Sequence, residues 1–315
     1  MMERARLVRD ASSRKVCYRP LSLPLYVTDR RLLASSIAII TVVVLIALKL
    51  GVGVVTSSIG VISQAVDSIT DLMASVLAFY AVRKSMEPPD DLHPYGHSKV
   101  ENLVSVIVGL IIVFAAVLVA REAAIRLVAG EVLQTIELGI VAMAIAVVVN
   151  LVVSAYLYRV ARQERSLALE ADAAHLRVDV LSSLGVLIGL VLARLTGLTF
   201  IDPLIALILA AYVLIAGLRL IRKAAADLLD ENILPEEERI VRDVLGEHSA
   251  GYRSFHALKA RRGGADSYLE LHLAVEGDMR VEDAHALAEH LEDEIRRRLP
   301  HFRVSIHLEP AAPRG

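Results

Sequence analysis

Asp67-Ser-Ile-Thr-Asp71 and His175-Leu-Arg-Val-Asp179 are two charged pairs set inside stretches that otherwise read as lipid-buried helix. An ionisable group at bilayer depth costs roughly 2.5–3.5 kcal/mol on insertion scales. Such groups are kept where they face a cavity and bind something. Both pairs have i, i+4 spacing, which on a helix puts two side chains on one face about one turn apart. Two such helices side by side would offer three carboxylates and one imidazole to a single point. Nitrogen and oxygen donors of this kind suit Zn²⁺, with bonds of about 2.0–2.2 Å in tetrahedral geometry. The pattern predicts a divalent-metal site at mid-membrane made by Asp67, Asp71, His175 and Asp179. The bland alternative is that Asp67 and Asp71 serve helix packing while His175 and Asp179 form a satisfied intramembrane pair, which would leave four unneeded ionisable groups at matched spacing as a large cost.

Working outward, six apolar segments of roughly the 20 residues a spanning helix needs can be drawn, at about 32–54, 58–82, 101–121, 133–159, 173–194 and 201–221. The second and fifth are the least apolar and hold the charged pairs, so they are expected inside the bundle. A hydrophobic content of 55% is too high for an ordinary soluble protein. With 34 basic and 36 acidic residues the charge is nearly balanced, which implies no nucleic-acid partner. The single cysteine, Cys17, lies in a polar N-terminal arm, excluding a disulfide framework or a thiolate metal site. Residues 1–31 lack the continuous apolar core of a cleavable signal peptide and read as a cytoplasmic arm.

Basic residues set the expected orientation. Arg83, Lys84 and Lys99 lie between spans two and three, Arg159, Arg162 and Arg165 between four and five, and Arg219, Arg222 and Lys223 after six. The opposite connections are poorer in charge. Both termini are expected in the cytoplasm, with residues 32–222 forming the transmembrane domain.

Beyond Lys223 the composition changes, and residues 228–315 read as a small soluble domain. Pro235-Glu-Glu-Glu starts a helix, with proline in the first turn and acids complementing the dipole. A strand follows over 254–262. Over 267–276, Leu269, Leu271, Leu273 and Val275 alternate with Tyr268, Glu270, His272 and Ala274, a half-buried strand. Gly263-Gly264 marks a hairpin between them. Helix returns over 281–298, and 302–308 closes the domain as a strand. The order αββαβ predicts an open sheet with helices on one face, in a ferredoxin-like or metallochaperone-like arrangement.

Two further clusters carry metal-binding chemistry. The loop Asp90-Asp-Leu-His-Pro-Tyr-Gly-His97 offers Asp90, His93 and His97 at spacings of three and four, either a site at the membrane edge or a polar loop with capping acids. The tail supplies His256, His272, His285 and His307 with Glu309, either ligands or ordinary surface histidines; His272 and His307 lie on strand faces opposite the apolar ones. His248, His290 and His301 read as bland. No nucleotide-binding motif, Ser-His-Asp set or catalytic cysteine is present, so no organic cofactor is expected.

The mid-membrane quartet also suggests an energy source. Three carboxylates and a histidine cannot all stay ionised around an empty point, so without metal they hold protons. Metal binding displaces those protons, which makes the expected device a metal/proton antiporter. His175, with its reference pKa nearest neutral, is the natural proton carrier.

Taken in order, Ala65-Val-Asp-Ser-Ile-Thr-Asp71, Asp90-Asp-Leu-His-Pro-Tyr-Gly-His-Ser-Lys99, Leu169-Glu-Ala-Asp-Ala-Ala-His-Leu-Arg-Val-Asp179 and the tail histidines resemble the cation diffusion facilitator family of metal exporters, in particular its bacterial zinc/iron branch with a cytoplasmic C-terminal domain. The resemblance implies that Asp67, Asp71, His175 and Asp179 form the transport site and that Asp90, His93 and His97 form a membrane-edge site. It also implies that His256, His272, His285 and His307 belong to a binuclear regulatory site bridging the tails of a homodimer. Glu309 stands where the family has an aspartate. Lys99 and Asp230 match a charge interlock that holds the dimer where tail meets membrane. Family members reside in the cell (inner) membrane and export Zn²⁺, and variably Cd²⁺ or Fe²⁺, in exchange for protons. The histidine in the fifth span resembles the zinc-transporting branches, and Asp67 resembles members that also take Cd²⁺ or Fe²⁺. A non-transporting membrane metal sensor or assembly partner is the alternative from another class. A zinc-dependent membrane hydrolase would need an open coordination position with an acid/base beside it, for which Glu170 and Asp172 are the nearby carboxylates.

Overall fold

The computed structural model describes residues 29–56, 59–129, 137–196 and 200–311. Six long helices come first: α1 (Arg30–Thr56), α2 (Ile59–Ser85), α3 (Lys99–Ala129), α4 (Glu137–Glu164), α5 (Leu167–Thr196) and α6 (Ile201–Leu228). Among the described residues, α1, α3, α4 and α6 are long and apolar enough to cross a membrane. Several helices outrun their apolar segments. The third continues to Ala129, and the fifth starts at Leu167 rather than near 173, because polar turns satisfy their own backbone as helix beyond the hydrocarbon-like stretch. The expected start of the fourth span, near 133, lies outside the described residues.

Many small side chains line the interior of this bundle, packed with larger ones such as Ile112, Leu157, Leu169 and Leu176. Ala34 and Ala38 of α1, Ala74, Ala78 and Ala81 of α2, and Ala168 and Ala171 of α5 are fully buried, while Ile40, Val44, Leu110, Phe114, Leu151 and Ile208 face outward. Small residues at the helix contacts with many large apolar ones facing outward is the pattern of helices whose surroundings are as apolar as their core. α3 and α6 approach each other closely. A Cβ on Gly109 would lie 2.6 Å from Ile221 Cγ1, and one on Gly217 would lie 2.9 Å from Val113 Cγ2.

The C-terminal portion is α+β: α7 (Pro235–Glu247), a 3₁₀ turn (Ser249–Gly251), β1 (Ser254–Gly263), β2 (Asp266–Val275), α8 (Val281–Arg298) and β3 (Phe302–Pro310). The sheet order is β1-β2-β3, with β1 antiparallel and β3 parallel to β2. The parallel pairing requires the crossover that α8 supplies. Leu269, Leu271, Leu273 and Val275 of β2 are buried against Val241 and Leu245 of α7 and Leu291 and Ile295 of α8, as the alternation of β2 demands.

Register then does something the alternation does not reveal. His256 pairs with His272, and His272 pairs with His307, so three histidines form a row across all three strands on the face away from the helices. The β1–β2 register shifts just after that row, between His256 and Lys259, where Ala257 adopts a φ of 50°. At the hairpin, Gly264 has a φ of 78°, and a Cβ there would lie 2.8 Å from the Ser98 carbonyl oxygen. The turn thus needs glycine both for its backbone and for its contact with the loop before α3.

Candidate metal sites

α2 and α5 bring together Asp71, His175 and Asp179. His175 Nε2 lies 3.2 Å from Asp71 Oδ1, and one donor atom from each of the three lies within 4.8 Å of the others. His175 is only 4% exposed. Its Nδ1 and the Oδ2 of Asp179 are buried without a hydrogen-bond partner among the described residues. An unpaired buried polar atom costs about 1–3 kcal/mol, and a cation shared by these donors would remove that cost. Asp67 lies on α2 one turn before Asp71; its side chain falls outside the described residues, so the fourth member of the expected quartet is placed by helix register alone.

Around this cluster the structure adds residues that spacing did not single out. Asp172 is fully buried, and its Oδ1 accepts a 2.9 Å hydrogen bond from Ser75 Oγ, which ties α5 to α2 one turn closer to the tail. Ser75 is i+4 from Asp71 and Asp172 is i−3 from His175, so both faces could be read from the helical period once the two ligand pairs are trusted. Glu101 of α3 is also buried. It accepts from Ser85 Oγ (2.7 Å), Ser166 Oγ (2.5 Å) and the Ala168 N–H (3.3 Å), pinning together the tail-side ends of α2, α3 and α5. Lys49 of α1 donates to Ser68 Oγ at 2.6 Å.

In the loop after α2, Asp90, His93 and His97 again place one donor each within 4.8 Å. A tight turn forms them: the His93 N–H donates to both the backbone oxygen and Oδ1 of Asp90, at 3.2 and 2.6 Å. His93 Nδ1 lies 3.0 Å from Asp90 Oδ1, and His97 Nε2 lies 3.4 Å from Asp90 Oδ2. Desolvation raises the Asp90 carboxyl, but the His93 N–H and ring outweigh it and hold the group below its ordinary value. His97 is 5% exposed, and neither ring nitrogen has a hydrogen-bond partner among the described residues. Such a buried, unsatisfied imidazole fits a metal ligand better than a capping role. Asp91 is not part of this group.

On the sheet, Glu309 reaches the histidine row. Its carboxylate oxygens lie 3.0 Å from His256 Nε2 and 3.4 Å from His272 Nδ1, and the three residues form one donor group. The His307 ring stands 4.8 Å from that of His272. His285 is not brought to them within the single chain: it is exposed on α8, 3.5 Å from Glu289. The three histidines that read as bland all have partners. His248 Nδ1–H donates to the Val244 carbonyl at 2.9 Å, which leaves Nε2 to accept from His290 Nε2 at 3.0 Å. His301 lies 3.0 Å from Glu237, which also takes a 2.7 Å hydrogen bond from Arg165. Lys99 and Asp230 close a 2.7 Å ion pair within one chain, joined by Arg261 at 2.8 Å.

A family model for the cation efflux transmembrane domain matches residues 35–229, and one for the cation efflux protein cytoplasmic domain matches 233–311. The chain belongs to the cation efflux family, the cation diffusion facilitators. An uncharacterized transporter of Synechocystis sp. is 36% identical over 84% of this chain and 85% of its own length. The cation-efflux pump FieF of Klebsiella pneumoniae is 33% identical over 82% and 85%. Among solved structures, CzrB in its Zn form is 40% identical over 27% of this chain and 98% of its own, with a TM-score of 0.25. The metal-bound C-terminal domain of the CzcD transporter from Thermotoga maritima is 30% identical over 24% and 87%, with a TM-score of 0.23. As a cation efflux protein the chain is a membrane transporter in a family of transporters rather than enzymes.

Proposed function

We propose that this cation efflux protein exports a divalent cation, Zn²⁺ foremost and Cd²⁺ or Fe²⁺ in addition, from the cytoplasm in exchange for protons. The convergence of Asp71, His175 and Asp179 between α2 and α5 carries the reading. Asp67 would complete the shell from the preceding turn of α2. One imidazole among carboxylates suits the borderline-soft Zn²⁺ better than an all-oxygen set would. When the ion leaves, carboxylates held this close cannot all remain ionised, so protons take its place and are displaced when the next ion binds. Six helices would span the cell membrane with both termini in the cytoplasm. The cluster, opening alternately to either face, would then couple outward metal to inward protons.

Two other sites surround this path. Asp90, His93 and His97 would hold an ion at the cytoplasmic edge. His256, His272, His307 and Glu309, joined by His285 of a second copy, would bind regulatory Zn²⁺ between the tails of a homodimer. Residues 1–31, 32–222 and 228–315 are then arm, transport domain and regulatory domain. Tail metal that draws two tails together would bias the membrane portion, and such coupling is reciprocal between the sites.

The test is Zn²⁺ flux into proteoliposomes under an imposed pH gradient. The wild type should show flux that depends on the gradient, and Asp179→Ala should lose it by at least about tenfold. Equal flux in both would reject the cluster as the transport site. Absence of wild-type flux for Zn²⁺, Cd²⁺ and Fe²⁺ alike would favour a metal sensor.

A further inference from the structure

Lys49 is a charge in an unexpected place. It sits on α1, a helix apolar enough to cross a membrane, among Leu45, Leu48 and Leu50. Its ammonium does not escape to the end of the helix. It turns inward and donates to Ser68 Oγ at 2.6 Å, and Ser68 is only 3% exposed. Ser68 follows Asp67 directly on α2 and stands three residues before Asp71. A cation from a third helix is therefore held at Ser68, one turn of α2 before Asp71. The hydroxyl alone is a poor return for drawing a half-buried ammonium towards an apolar bundle, because such a charge calls for an opposite one. The acidic residues of α2 and α5 are Asp67, Asp71, Glu170, Asp172 and Asp179, and Glu170 already pairs with Lys223.

That position has two electrostatic consequences, both strengthened by low dielectric. With no ion bound, the ammonium offsets part of the carboxylate charge. With a divalent cation bound, the same ammonium repels it. A shell of three carboxylates and an imidazole would otherwise hold Zn²⁺ tightly, yet passage requires binding firm enough to enter and loose enough to leave. We propose that Lys49 is a positioning residue that acts as a tethered counter-cation: it balances the empty transport site and lowers its metal affinity so that the ion can be released. The proposal rests on the reading of Asp67, Asp71, His175 and Asp179 as that site. A purely structural Lys49, bracing α1 against α2 through one hydrogen bond, is the competing role.

The two roles separate in the Zn²⁺ dependence of flux through the full-length protein in proteoliposomes. Lys49→Gln keeps a hydrogen-bond donor and removes the charge, whereas Lys49→Arg keeps the charge. If Lys49 tunes affinity, Lys49→Gln lowers the apparent KM for Zn²⁺ by about tenfold or more, equivalent to roughly 1.4 kcal/mol, and lowers the maximal rate because release slows. Lys49→Arg stays near wild type in both parameters. A KM in Lys49→Gln that is unchanged or raised overturns the proposal, whatever happens to the maximal rate. Lys49→Met, run alongside, reports the cost of losing the hydrogen bond as well. Asp179→Ala identifies the other failure: wild-type flux in that variant would reject the transport-site reading itself, and the role of Lys49 with it.

Discussion

Ser75 and Asp172 show how a single hydroxyl can hold the two ligand-bearing helices in register. Asp172 Oδ1 accepts from Ser75 Oγ at 2.9 Å, and both residues are buried between α2 and α5. Interhelical hydrogen bonds of this kind contribute about 0.6 kcal/mol on average and up to about 1.7 kcal/mol in membrane proteins. Ser75→Ala and Asp172→Ala should each destabilise the fold, with a coupling energy in that range when reversible unfolding in micelles is measured for both singles and the double. Additive effects would show that the contact carries no energy of its own. At this scale the candidate transport site was legible because its ligands repeat at i, i+4 on each helix, and an ionisable group at bilayer depth is conspicuous. Lys49 was less so. Its inward turn depends on α1 lying against α2, and nothing in the local period of α1 states which neighbour it has. Glu101 was hidden for the same reason, since its three donors come from α2, the turn after α4 and the start of α5.

Among the elements, the α3–α6 contact depends visibly on side-chain size. Gly109 and Gly217 face each other so closely that a Cβ on Gly217 would lie 3.3 Å from the Gly109 carbonyl oxygen as well as 2.9 Å from Val113. Backbones at this distance gain van der Waals contact that larger residues would forfeit. Gly217→Val should therefore force the two helices apart at a cost of about 1–3 kcal/mol, read as earlier thermal unfolding of the purified protein. An unchanged midpoint would mean that α6 slides past α3 without penalty. The six helices and the αββαβ order were readable from apolar runs, from helix-start residues such as Pro235 and from the alternation along β2, although among the described residues only α1, α3, α4 and α6 are apolar enough to cross a membrane by themselves. The histidine row on the sheet was not. His256 aligns with His272 through the antiparallel β1–β2 hairpin and His272 with His307 through the parallel β2–β3 pair, and both registers follow from turn geometry and buried faces rather than from the spacing of the histidines along the chain. The bulge at Ala257 carries no glycine or asparagine to announce its left-handed backbone.

Over the whole molecule, two polar clasps fasten the tail to one end of the helical bundle. One joins Lys99 at the start of α3 to Asp230 and Arg261; the other joins Arg165, at the turn before α5, to Glu237 and His301. The pair expected from family resemblance to lock a dimer closes here between bundle and tail of a single chain, so each tail is tied to its own bundle before any second copy is considered. The clasps differ in their response to acid. Hydrogen bonds from Lys99 and Arg261 hold the Asp230 carboxyl below its ordinary value. Its contribution is complete above the unfolded value of about 3.9 and is lost only as pH falls through the lower folded one. Burial pushes His301 down, aided by the Arg165 charge, so the folded state prefers its neutral form despite Glu237. That preference is complete above the unfolded value of about 6.5 and disappears as pH falls through the folded value. Lowering the pH from 8 to 5 should loosen the second clasp and spare the first. Hydrogen exchange should speed up at the start of α7 and around His301 while amides near Lys99 and Asp230 keep their protection, and His301→Gln should abolish the pH step. Equal protection of both clasps across that range would mean that the charge on His301 is accommodated without opening the joint, and the difference in their acid response would be lost.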